Sequence, residues 1–116
     1  MSRSDPEARL RDMLDHAREA LALIEGRRRD DLDKHRLLQL GIVRLLEIVG
    51  EAAARTSQSI QDQHRDIAWA QIVGLRNRLI HGYDAVDLDI VWAILADDLP
   101  RLVRQLETIL DRADEA

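Results

Sequence analysis

Cysteine is absent from this 116-residue chain, so neither a disulfide nor a thiolate metal site is open to it, and nothing points to an oxidising compartment. A cytoplasmic address is the expectation. Aromatic residues are scarce as well: two Trp, one Tyr and no Phe make up 3% of the chain, so aliphatic side chains must fill the interior and no base-stacking platform is in view. No stretch approaches the roughly 18 apolar residues of a membrane span, and the N-terminal MSRSDPEARL has no apolar run of the signal-peptide kind. Positive charge is in deficit, 17 Lys and Arg against 22 Asp and Glu for a net −5. That balance excludes a protein that coats nucleic acid through many phosphate contacts and leaves room only for local ones.

What remains is apolar at 46% and charged at 34%, the composition of one globular domain, residues 1–116, around one core. Its periodicity is helical. Ser4 or Asp5 can cap a first helix with Pro6 in its first turn. Leu10, Met13, Leu14, Ala17, Leu21 and Ile24 then recur at steps of three and four, and Gly26 supplies the stop. Arg27, Arg28 and Arg29 follow that helix end, where cations complement exposed carbonyls. From about Asp31 to Arg55 runs a central helix whose apolar surface, from Leu37 to Val49, is too wide for one neighbour. Gly41 and Gly50 weaken that helix by about 1 kcal/mol each, and close approach of another backbone is the compensation to look for.

Residues 56–66 are small and polar, a connection with at most a short turn of helix. Ile67 to about Ile80 is helical again, and a last helical region runs on through Val91, Leu95, Leu99, Leu102, Leu106 and Ile109, capped by Asp87 or Asp89. Pro100 lies inside it, without an amide hydrogen and against the carbonyl of Ala96, so a kink or break is expected there, with Asp97 and Asp98 available to cap the continuation. These elements predict an all-α, up-and-down bundle of about four main helices with the last one bent. Trp69 and Trp92 read as core, and His16, His35 and His64 as surface residues whose spacing suits no metal.

Two polar features stand out from this frame. Arg44, Glu47, Glu51 and Arg55 fall on one side of the central helix, either as a solvated ion-pair ladder or with Glu51 facing a polar cleft. Residues 76–83 read RNRLIHGY. On an ideal helix Arg76 and His81 lie about 140° apart, but a helix ending at Gly82 frees His81 and Tyr83 from helical projection, and a small polar cluster becomes possible. Arg, His and Tyr without a metal suit phosphodiester chemistry: guanidinium pairs two phosphate oxygens and imidazole moves protons near neutral pH. RNA carries its own nucleophile, and general-base help of this kind contributes about 10² to 10⁴ in rate.

The array Arg, four residues, His, one residue, Tyr in RNRLIHGY resembles the mark of the HepT-type toxins of the HEPN superfamily. The likeness extends through LLEIVGEAAAR at 45–55, IAWAQIVGLRNRLIHGYDAVDLDIVW at 67–92 and DDLPRLVRQLETIL at 97–110. It implies the toxin half of a toxin-antitoxin pair, a metal-independent endoribonuclease that needs no cofactor, with Arg76 and His81 as the catalytic pair and Asn77 as the polar residue beside the arginine. Glu51 joins the candidate site from the reading of the stripe. The resemblance further implies a homodimer whose two motifs meet across the twofold axis, and a partner nucleotidyltransferase of the MntA type that silences the toxin by transferring AMP to Tyr83. The competing expectation is a noncatalytic helical module that holds a nucleotide or a nucleotidyltransferase through the same residues.

Overall fold

A computed structural model describes residues 5–79 and 86–115 of the chain. Helix α1, Pro6–Ile24, is opened by the Asp5 carboxylate, which accepts the Glu7 amide at 2.9 Å. It is closed at Gly26, whose φ of +75° only glycine adopts without strain. The Arg27 Nε then donates to the Leu23 carbonyl at 3.0 Å, satisfying one of the terminal acceptors that the sequence places cations beside.

The predicted central helix is two helices, α2 (Arg29–Lys34) and α3 (Arg36–Ala54), separated at His35, where the backbone is extended. The bend has an identifiable purpose. It lets α2 bury Leu32 and reach the helix that starts at Leu88, where Arg29 Nε donates to Asp89 at 2.8 Å, and the Gln39 side chain donates at 2.6 Å to the Leu32 carbonyl that the break exposes. The polar connection contains one short helix, α4 (Gln58–Gln63), capped by Ser57. Likewise the helix expected over 67–80 is α5 (Trp69–Val73) and α6 (Leu75–Leu79), divided at Gly74.

The last region is continuous but not uniform: α7 (Leu88–Ala93), capped by Asp87, passes through a π-helical turn, Ile94–Asp98, into α8 (Leu99–Glu115). Pro100 accounts for the turn. The Leu99 amide reaches back to the Ile94 carbonyl, five residues away, so the wider turn falls immediately ahead of the residue that has no amide to give. Of the expected kink or break, a break does not occur: the helix continues through the π-turn and α8 stays docked on α1, without Asp97 and Asp98 opening a new helix.

The all-α expectation holds, but the count of about four main helices does not describe it. The described residues form three long helices of 19, 19 and 17 residues (α1, α3, α8) and five short ones. Helix α1 packs along both α3 and α8, and α3 carries α5 and α6 on its other side. Met13, Ile42, Leu46, Val49, Leu79, Ile94 and Leu106 are fully enclosed between them. Trp69 is buried, its indole N–H donating to the His64 carbonyl at 2.9 Å, whereas Trp92 is only partly buried at the core's edge. His16 is half-buried rather than exposed, its Nδ1 2.6 Å from the Asp12 carbonyl oxygen.

The compensation sought for the two glycines exists at one of them. A Cβ at Gly50 would lie 3.0 Å from the Ile72 carbonyl oxygen, and α5 crosses α3 so closely that a side chain there would push the α5 backbone back by a few tenths of an ångström; at Gly41 the nearest neighbour is a Leu23 methyl at 3.8 Å. The two sites therefore separate packing from helix propensity. Gly50→Ala is expected to destabilise by about 1–3 kcal/mol through overpacking, while Gly41→Ala gains up to about 1 kcal/mol of propensity, both read from denaturant midpoints.

At the start of α2 the Asp31 carboxylate accepts the Arg28 amide at 2.7 Å, which holds its pKa below the ordinary Asp value. A lowered folded pKa means that this contribution is present above the unfolded Asp pKa and lost as pH falls through the folded one. Amide exchange in α2 is expected to accelerate in that acidic window, and Asp31→Asn should abolish the pH step while leaving α1 unchanged.

Candidate active site in the α3–α6 cleft

Close crossing at Gly50 brings the motif helix onto the polar stripe. Leu75 and Leu79 are buried and face the core, which turns Arg76 toward α3 and leaves it at the rim of an open cleft of about 140 Å³ lined by Glu47, Gly50, Glu51, Ala54, Val73 and Arg76. Its floor is backbone and small side chain; its rims are charged.

The rim charges form a chain. Arg76 Nε lies 3.7 Å from Glu47, Glu47 lies 3.9 Å from Arg44 Nη1, and the same Arg44 nitrogen donates to Glu51 at 3.3 Å. Only the last of these is a hydrogen bond. The ladder reading of the stripe and the cleft reading of Glu51 are thus one surface: Glu51 is solvated, paired with Arg44, and on the same cleft as Arg76. Arg55 is exposed at the end of α3.

The Arg76 side chain is 74% exposed and Glu47 24%. An exposed contact of that length is worth only about 0–1 kcal/mol, so Arg76 can leave Glu47 for a better acceptor at small cost, and its planar fork suits two oxygens of one phosphoryl group. Asn77 is exposed on the same short helix. His81 and Tyr83, the other two motif residues, lie outside the described residues, as does the expected helix stop at Gly82.

Two features escaped the sequence reading. Glu47, not Glu51, is the carboxylate nearest Arg76; it lies three residues before Gly50 and so on the same face of α3, whereas Glu51 lies about 100° around the helix from that face. The other is the ion pair of Arg78 with Asp98, 3.0 Å long, which links the motif helix to the π-helical turn. Among the described residues no group of three or more His, Asp or Glu has the arrangement of a metal site, and no helix is long and apolar enough to cross a membrane.

The bundle thus sets an accessible arginine, the first residue of an Arg-x4-His-x-Tyr array, on a polar cleft. A model of the family described as "Ribonuclease HepT-like" matches residues 13–109, and the chain belongs to that family. It is 31% identical over 103 residues to "Probable ribonuclease HepT" of Thermococcus cleftensis, covering 85% of this chain and 94% of that one. It is 30% identical to a "Putative RNase" of Caldanaerobacter subterraneus subsp. tengcongensis (92% and 96% covered) and 28% identical to a "Putative RNase" of Methanocaldococcus jannaschii (94% and 100%). No solved structure matches the chain.

The loose Arg76–Glu47 contact competes with any anion at the cleft. Glu47→Gln is expected to tighten pyrophosphate binding by up to about fivefold, the equivalent of about 1 kcal/mol, in a titration followed through the Arg76 Nε–H resonance. An unchanged affinity would mean that Glu47 does not hold Arg76 back.

Proposed function

We propose that this chain is the toxin of a toxin-antitoxin pair and a metal-independent endoribonuclease, with Arg76 and His81 as its catalytic residues. The observation that carries this reading is the accessible Arg76 guanidinium at the head of RNRLIHGY, loosely held on an open cleft, in a chain whose relatives bear ribonuclease names. In the reaction, His81 takes the proton from a ribose 2′-hydroxyl. The O2′ attacks the adjacent phosphorus, the bond to O5′ breaks, and a cyclic 2′,3′-phosphate and a 5′-hydroxyl result once O5′ gains a proton. Arg76 offsets the charge that builds on the non-bridging oxygens. Asn77 and Glu51 support the site, Glu51 by holding through its hydrogen bond the Arg44 guanidinium that also lies beside Glu47.

One imidazole does not serve readily as base and acid at once, so we infer a homodimer in which two motifs share a substrate. Unpartnered apolar surface supports this: Leu37 is 85% and Leu40 49% exposed on the outward stripe of α3 that continues to Arg44 and Glu51, and Val73 is exposed beside Arg76. Control by a nucleotidyltransferase of the MntA type fits the same site. Transfer of AMP from ATP to the Tyr83 oxygen, with pyrophosphate leaving, would place an anion next to the arginine that must receive the substrate phosphate.

The test is cleavage of labelled single-stranded RNA with chelator present. Arg76→Ala and His81→Ala, both folded, are each expected to lose about 10²-fold or more, and a 2′-deoxy nucleotide at the scissile position should stop cleavage entirely. Mixing the two inactive variants is expected to restore part of the activity through heterodimers. Cleavage left unchanged in either variant would mark the activity as a contaminant's and leave a nucleotide- or partner-binding module as the reading, and continued cleavage of the 2′-deoxy substrate would exclude internal attack. Only monomer in sedimentation at micromolar concentration would remove the shared site.

A further inference from the structure

The residue N-terminal to α6 is Gly74, and α6 itself is only five residues long, Leu75–Leu79. A helix that short does not hold itself together, and its orientation is whatever its tertiary anchors impose. One anchor is aliphatic: Leu75 and Leu79 sit side by side in the core, a contact that resists separation of the helix from α3 but restrains its rotation only softly. The other anchor is directional. Arg78 Nη1 donates to Asp98 Oδ2 at 3.0 Å, with both side chains about one-third exposed.

Arg78 and Arg76 flank the buried Leu75–Leu79 face on opposite sides, about 200° apart at 100° per residue. Turning α6 about its axis therefore cannot move one without moving the other. A guanidinium stands about 6 Å from a helix axis, so a rotation of ~10° carries it about 1 Å, a displacement that costs on the order of 10²-fold in rate when the group must meet a transition state.

The partner of Arg78 is placed by the least regular part of the last helix. Asp98 is the final residue of the π-helical turn. Ile94, Leu95 and Leu99 are all buried, so the core face is kept on both sides of the turn. The extra residue advances the register by about 100° relative to an unbroken α-helix and brings the Asp98 carboxylate around to α6. π-Turns of this kind recur at functional positions. A pair this exposed adds little to stability, which leaves aiming α6 as the work the geometry suits it for.

We propose that Asp98 is a positioning residue: through Arg78 it sets the rotation of α6 that aims the Arg76 guanidinium into the α3–α6 cleft. The consequence for catalysis rests on the ribonuclease reading above; the consequence for the Arg76 side chain does not. Asp98→Asn keeps the volume and removes the charge. Arg78→Glu combined with Asp98→Arg restores the pair with reversed polarity, and Asp98→Glu, which keeps the charge, serves if the asparagine variant does not fold.

In the full chain, Asp98→Asn is expected to shift the Arg76 Nε–H resonance and to lower kcat on labelled single-stranded RNA by about tenfold or more. KM should stay within about twofold and the melting temperature within a few degrees. The reversed pair is expected to return the resonance and most of kcat. An Arg76 resonance that does not move, or a loss of kcat that follows melting temperature and is not recovered by the reversed pair, overturns the proposal. A wild-type chain that cleaves no RNA removes the ribonuclease reading instead, and the movement and recovery of the Arg76 resonance then decide the positioning role by themselves.

Discussion

The constraint on which the site depends is the close crossing of α5 over α3 at Gly50. Gly50 lets the Ile72 carbonyl come within 3.0 Å of where a Cβ would stand, and this contact sets how closely α5 and α6 lie on α3. A five-residue helix cannot position a functional side chain on its own strength, because nucleating a helix costs more than so few hydrogen bonds return. Here the rigidity is borrowed. Helix α3 spans 19 residues and is wedged between α1 and the α5–α6 pair, so a group on α6 inherits its place from a long, well-buried element.

The electrostatics follow from the same crossing. In a chain with a net charge of −5, an anion is attracted only where cations are locally concentrated or where a carboxylate's hold on them is weak. The cleft uses the second route. Arg44 is drawn to Glu51 by a hydrogen bond, which leaves Glu47 with two long contacts and no short one, and leaves Arg76 with most of its donors facing solvent. A balanced row of charges on a surface helix can thus hold an arginine in readiness without a basic patch, which is why overall charge is a poor guide to a protein whose contact with nucleic acid is confined to a few phosphates.

Much of this was legible in the sequence, and what was missed shares one physical cause. Helix existence followed from aliphatic periodicity, and the ends followed from local chemistry: Asp5, Ser57 and Asp87 cap as short polar side chains do, and Gly26 stops α1 with a positive φ. The breaks at His35 and Gly74 were not legible, because periodicity continues straight through both and each bend answers a distant partner: Asp89 for α2 and the α3 surface for α6. Trp92 and His16 were assigned to the wrong depth for a similar reason, since a helix face says which way a side chain points and not how far its neighbours extend. Of the candidate site, Arg76 and Glu51 do share a cleft, but the carboxylate that touches Arg76 is Glu47, a choice made by the Gly50 crossing rather than by spacing.

Pro100 shows how a local rule leaves open the form that its accommodation takes. A proline in a helix must be accommodated, and the usual outcomes are a kink or a stop. A stop would end the helix before α8 could pack along α1, as it does. Widening the preceding turn keeps the row of Leu95, Leu99 and Leu102 buried and confines the irregular hydrogen bonding to residues 94–98. That disturbance also shifts which residue faces α6. In a regular helix Asp97 and Asp98 would be two more surface acids; after a π-turn, Asp98 meets Arg78. The turn ahead of the proline thus ends on the carboxylate that meets the back of the motif helix, and a side chain with no contact to the cleft is tied to the element that carries Arg76.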